Sequence, residues 1–85
     1  MDAANNNASG SAMPLAMALV GQTVTLVAVI SGGRGLMHRL AEMGLTPGES
    51  MEVINRGPGP FIVSVRGTRL VLGRGMVQRI LVRPA

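Results

Sequence analysis

The most informative segment of the sequence is Gly44-Leu45-Thr46-Pro47-Gly48, which lies between a short amphipathic run and an alternating one. In the run before it, Leu36, Leu40 and Met43 recur at i, i+4 and i+7, which is the spacing of one face of an α-helix. Gly44 follows, and glycine readily adopts the left-handed conformation that ends a helix. The sequence therefore predicts a short helix over about residues 36–43 that stops at Gly44.

The second half of this stretch predicts a tight turn that leads into a strand. Pro47 has a fixed φ and Gly48 tolerates a positive φ, as the two central positions of a type II turn require. On both sides of this segment, alternating or β-branched runs predict strands at 23–30, 50–55, 61–66, 69–72 and 80–83. The sequence also predicts a tight turn at Gly67-Thr68 and short helical turns at 15–19 and 76–79. About five short strands with glycine-rich turns and one inserted helix predict a mainly β fold, a small antiparallel barrel.

The chain divides into an N-terminal tail and one domain. Residues 1–12 are Ala, Asn, Ser and Gly with one Asp and one Met, a composition that predicts a disordered tail before a domain at 13–85. Residues 13–30 are apolar enough to raise the alternative of a membrane-spanning helix. Gly21-Gln22-Thr23 and Thr25 interrupt that segment with turn and polar residues, so we predict no membrane span.

The composition argues against an enzyme. The 85 residues contain no Cys, Lys, Tyr or Trp and a single His, which removes thiol and Schiff-base chemistry and leaves few general acids or bases. The hydrophobic fraction of 47% is enough for a core, and with one Phe as the only aromatic residue that core must be aliphatic. The formal net charge of +4 permits acidic proteins or nucleic acids as partners.

Three segments, read together, resemble the bacterial ferrous iron transport protein A (FeoA) family. They are RLAEMGLTPG at 39–48, GPFIV at 59–63 and RGTRLVL at 66–72. The resemblance covers about residues 13–83 and implies an SH3-like barrel. Members of the family are small cytosolic proteins encoded with a large membrane iron transporter, FeoB, which carries a cytosolic GTP-binding domain. The resemblance therefore implies a cytoplasmic, non-enzymatic accessory role in ferrous iron uptake, through contact with that transporter.

The predicted helix and its flanking loops are the expected contact surface. Four polar residues are the candidate contacts with the transporter, either its cytosolic GTP-binding domain or its membrane portion: Arg34, His38, Arg39 and Glu42. Five further residues are expected to hold that surface in place: Leu40, Gly44, Leu45, Pro47 and Gly48. The sequence leaves the oligomeric state open.

His38 and Glu42 are also the candidate ligands for a divalent transition metal such as Fe²⁺. They lie four residues apart on the predicted helix, so both side chains can face one ion. Ferrous iron usually takes at least two His and a carboxylate, so one copy of the chain supplies too few ligands, whereas two copies would double them. Met37, Met43, Met51 and Met76 show no Met-x-Met clustering, which favours core packing over soft-metal binding.

The arginines raise one alternative to transporter docking, a surface that binds nucleic acid. Arg34, Arg39, Arg56, Arg66, Arg69 and Arg74 could form one basic patch. A nucleic-acid-binding barrel would use such a patch, but it normally adds stacking aromatics, so no nucleic acid is expected. The loop Gly32-Gly33-Arg34-Gly35 before the helix could instead hold an anion.

The other alternative to transporter docking is a metal-responsive regulatory module, a use that the same fold serves in metal-dependent repressors. Binding of Pro-rich peptides is rejected, because it requires an aromatic groove.

Overall fold

The computed structural model describes residues 11–30 and 33–85. Most of the predicted tail, residues 1–10, lies outside this part of the chain. The strands are β1 (Met13–Pro14), β2 (Thr23–Val29), β3 (Ser50–Asn55), β4 (Phe61–Val65), β5 (Thr68–Leu72) and β6 (Ile80–Pro84). The helices are α1 (Gly33–Glu42) and the single turn α2 (Arg74–Val77), with a 3-10 turn at Leu15–Met17.

The six strands form one antiparallel sheet in the order β1-β6-β2-β3-β4-β5. The predicted mainly β fold is confirmed, with six strands instead of about five because Met13 and Pro14 pair with Val82 and Leu81 of β6. The register shifts in β2 between Leu26 and Ala28, a type of irregularity that bends and twists a strand. The edge strands β1 and β5 do not pair with each other in this order, so the barrel stays open.

The core is aliphatic, as the composition predicts. β4 alternates strictly, and its buried residues Phe61, Val63 and Val65 face inward. Met51 of β3 is buried with them, while Met43 and Met76 are half-buried and pack against the core. Met37 is half-buried on α1. These four methionines thus lie in separate places, and three of them contribute to the core or its edge.

The element boundaries differ from the predicted ones where the sequence pattern carries no apolar signal. α1 begins at Gly33 and ends at Glu42, whereas the predicted helix covers about residues 36–43. The earlier start was missed because Gly33, Arg34 and Gly35 add no apolar residue to the helical pattern. The hairpin turn is Arg66-Gly67, not Gly67-Thr68, and both its residues have positive φ (53° and 84°) as a two-residue hairpin requires. Thr68 already pairs with Val65.

The apolar segment 13–30 is not a single helix. It divides into β1, the 3-10 turn and β2, with Gly21 at a φ of 89° between the last two. In the part of the chain that the structure describes, none of the helices has the length and apolar character needed to cross a membrane.

Candidate functional site

The C-terminal end of α1 is fixed by hydrogen bonds around Gly44. The Leu45 N–H donates to the Leu40 carbonyl at 2.8 Å, and the Gly44 N–H donates to the Ala41 carbonyl at 3.0 Å. Gly44 has a φ of 89°, so these bonds form a Schellman motif with glycine at its left-handed position. Leu40 and Leu45 are completely buried. The helix end is therefore attached to the core by two large side chains.

The turn after α1 is attached to the sheet. The Glu49 N–H donates to the Thr46 carbonyl at 3.0 Å, and Gly48 has a φ of 97°, which agrees with the predicted turn centred on Pro47 and Gly48. The Gly48 N–H also donates to the Leu26 carbonyl, and the Leu26 N–H donates to the Glu49 carbonyl, both at 2.9 Å. Because Leu26 belongs to β2, the turn and the helix before it have a fixed position on the sheet.

The four predicted contact residues are all exposed on α1. Arg34, His38 and Glu42 follow one another at intervals of four residues, so they form a single stripe along the helix. The His38 Nε2 lies 3.2 Å from a Glu42 carboxylate oxygen, and the two side chains are 77% and 66% exposed. An ion pair with this exposure contributes little to stability. The stripe is therefore a solvent-exposed polar surface that contributes little to the fold.

Arg39 borders a shallow open pocket of about 310 Å³ beside the stripe. Half-buried Leu36 and Met76 line this pocket together with exposed Arg79, which follows α2. The Ile30 N–H donates to the Arg79 carbonyl at 2.8 Å, which fixes the backbone at Arg79. We call the surface formed by Leu36, Arg39, Met76 and Arg79 the cationic cleft.

Sequence reasoning did not identify Met76 and Arg79 as members of the site. They lie about forty residues from Arg39 along the chain, and only the folded sheet brings α2 beside α1. No local pattern could have shown this, since the apolar spacing around α2 indicates only a short helical turn.

The predicted metal ligands His38 and Glu42 are adjacent, but the structure adds no third ligand to them. Within residues 11–30 and 33–85 there is no group of three or more His, Cys, Asp or Glu side chains placed to hold an ion. Two ligands are fewer than ferrous iron usually takes from a protein. Binding of Fe²⁺ at His38 and Glu42 thus stays a prediction that needs ligands from a second copy or another molecule.

The arginines occupy separate surfaces. Arg66 pairs with Glu49 at 2.7 Å, whereas Arg39 lines the cationic cleft and Arg56 and Arg74 line a different pocket together. The only aromatic side chain, Phe61, is 4% exposed, so it offers no platform for stacking a base. The predicted anion loop includes Gly32, which lies outside the described residues.

The open six-stranded sheet with one helix inserted between β2 and β3 defines a small SH3-like domain. Residues 13–84 match the FeoA domain family, and the chain therefore belongs to that family. The match includes every strand and both helices.

Individual relatives agree with this assignment. A Methanocaldococcus jannaschii protein that is named as an Fe(2+) transport protein A is 40% identical over 72 residues. These residues cover 85% of this chain and 87% of that protein. The crystal structure of an iron uptake regulatory protein (FeoA) has a TM-score of 0.75 at 33% identity, covering 87% of this chain and 97% of that one. The IdeR structure from T. acidophilum has a TM-score of 0.79, covering 88% of this chain and 35% of that one. Because the identity is only 19%, this likeness shows the fold alone.

Proposed function

We propose that this chain is a non-enzymatic accessory protein of ferrous iron uptake that docks onto the membrane iron transporter FeoB. Membership of the FeoA family and the name of the relative from Methanocaldococcus jannaschii support a role in ferrous iron uptake. The proposal assigns the chain to the cytoplasm, where the GTP-binding domain of such a transporter lies. The docking surface is the exposed stripe of α1 together with the cationic cleft.

The observation that carries the proposal is the chemistry of the cationic cleft. The cleft combines two exposed arginines, Arg39 and Arg79, with half-buried Leu36 and Met76. No acidic side chain among the described residues pairs with either arginine. Apolar area next to exposed cations is typical of a protein interface, where charge selects the partner and the apolar part is desolvated. The complementary surface has carboxylates around an apolar side chain.

The fixed position of α1 supports docking as the role of this surface. The Schellman motif and the bonds between Leu26 and the turn hold the helix before any partner arrives. A surface that is already ordered loses less conformational entropy on binding than a flexible one. Leu40 and Leu45 act in this proposal as core anchors of the helix, and not as contacts.

Charge reversal in the cleft tests the proposal. The double variant Arg39→Glu with Arg79→Glu is compared with Arg69→Glu and Arg83→Glu, which changes net charge equally at exposed arginines outside the cleft. Calorimetric titrations use the cytosolic GTP-binding domain of FeoB and, separately, the whole transporter in lipid nanodiscs. We expect the cleft variant to bind at least tenfold more weakly, a change of about 1.4 kcal/mol, and the control to stay within about twofold.

Equal binding by the cleft variant and the native chain, with both correctly folded by circular dichroism, would contradict the proposed surface. Weakening by both variants to the same extent would show that only overall charge matters. Loss of binding to the nanodisc transporter alone would assign docking to the membrane portion.

A further inference from the structure

A second pocket, which shares no lining residue with the cationic cleft, contains two arginines. Its volume is about 160 Å³, and it is lined by Ala16, Arg56, Phe61, Arg74, Val77 and Gln78. Phe61 and Val77 are buried and supply apolar lining, while the arginines and Gln78 are exposed. The residues come from the 3-10 turn, the β3–β4 loop, β4, α2 and the position just after α2, so the pocket exists only in the folded chain.

The Arg56 side chain is held in position by the backbone around it. Its Nη2 donates to the Ala16 carbonyl at 3.1 Å, which ties the β3–β4 loop to the 3-10 turn. The loop itself is closed by a bond of 2.7 Å from the Asn55 side-chain amide to the Pro60 carbonyl. The guanidinium therefore lies in the pocket without any need for a ligand.

Arg74 approaches the same loop from α2. Its Nη2 lies 3.5 Å from the Gly59 carbonyl oxygen, at the outer limit of a hydrogen bond. A Cβ added at Gly57 would lie 3.5 Å from the same nitrogen, so the loop packs closely against the guanidinium. Gly57 also has a φ of 126°, a conformation that other residues rarely adopt. A glycine at position 57 therefore permits the close approach of Arg74 to the loop that contains Arg56.

Neither guanidinium forms an ion pair with a carboxylate of the described residues. In the same part of the chain, Arg66 does form such a pair, with Glu49. Each guanidinium has five N–H donors, and Arg56 and Arg74 each use one nitrogen toward a backbone carbonyl. Two cations that share a pocket repel each other, and an anion between them would offset that repulsion. Both guanidinium groups therefore keep N–H donors for which the described residues supply no carboxylate.

We propose that this pocket binds a small oxyanion, a carboxylate or a phosphate group, between Arg56 and Arg74. The planar guanidinium fork matches the geometry of both groups, and the Gln78 amide can supply a further donor. Pockets for whole small molecules are usually about 300–1,000 Å³, so this one accepts a single charged group. The buried side chains of Phe61 and Val77 suit a short carbon stem attached to that group.

An NMR titration of the full chain with sodium phosphate, and separately with sodium acetate, tests the site. Ionic strength is held constant with sodium chloride, and the backbone amides and arginine Nε–H signals are followed. We expect saturable shifts at Arg56, Arg74 and Gln78 with at least one of the two anions. Arg74→Gln is expected to weaken binding at least fivefold, whereas Arg69→Gln, which removes the same charge outside the pocket, leaves it unchanged.

A second variant guards against a folding effect. Gln78→Glu replaces one exposed side chain by a carboxylate of similar size at the edge of the pocket, and we expect it to abolish anion binding by occupying the arginines itself. Linear, unsaturated shifts with both anions would overturn the proposal, and so would equal losses in Arg74→Gln and Arg69→Gln. Titrating Arg74→Gln with the transporter separates the sources of the anion: weaker docking means that the partner supplies it, and unchanged docking means a free anion.

Discussion

Gly44 has the clearest residue-level role in the chain, since it sets where α1 ends and where the polypeptide turns back to the sheet. Its φ of 89° is one that a residue with a Cβ adopts only with strain. Both Gly44 and the Pro47-Gly48 turn could be predicted from sequence, because their requirements are local: a positive φ, a fixed φ and the residue types that tolerate them.

Replacing Gly44 by alanine should destabilise the fold by about 1–2 kcal/mol, the cost of a left-handed L-residue. The space around Gly44 is open, with nothing within 4 Å of an added Cβ, so the cost is purely conformational. Gly35→Ala is the matched control: its site is equally open and lies within α1, so alanine should stabilise by about 0.4–1 kcal/mol. Urea unfolding curves measure both; a stability loss in Gly35→Ala as large as that in Gly44→Ala would contradict this account.

At the scale of elements, the sequence predicted what each segment forms better than where it begins. β3 matches its predicted bounds, because its alternation is regular and a turn precedes it. The start of α1 was missed by three residues, because Gly33, Arg34 and Gly35 add no apolar residue to the pattern. β1 was not predicted at all, since two residues become a strand only by pairing with β6, which lies far along the chain.

The attachment of α1 to the core depends on Leu40. Leu40→Ala removes a completely buried side chain and should cost about 2–5 kcal/mol of the unfolding free energy. Ala41→Ser, at the exposed neighbouring position, should change stability by less than about 0.5 kcal/mol. Denaturation followed by circular dichroism gives both values. Similar stabilities for Leu40→Ala and the native chain would show that the helix is held by something other than this side chain.

At the scale of the whole molecule, the parts that sequence could not predict are contacts between distant segments. The exposed stripe of α1 follows from helical spacing, so Arg34, His38, Arg39 and Glu42 could be selected in advance as surface residues. Arg39 and Arg79 line one pocket, and Arg56 and Arg74 line another. Both pairings depend on the order in which the six strands pair. The sequence left open a single basic patch of arginines, whereas the structure places these two pairs in different pockets.

The measurement that tests the docking account most directly is an amide-resolved NMR titration of this chain with the cytosolic GTP-binding domain of FeoB. A parallel titration uses the whole transporter in nanodiscs, to include its membrane portion. We expect saturable shifts or broadening at residues 34–42 and 76–79, the stripe and the cationic cleft, with the β5 edge unperturbed. Saturable changes confined to the β5 edge, with α1 unperturbed, would contradict it, as would the absence of any change with both forms of the transporter.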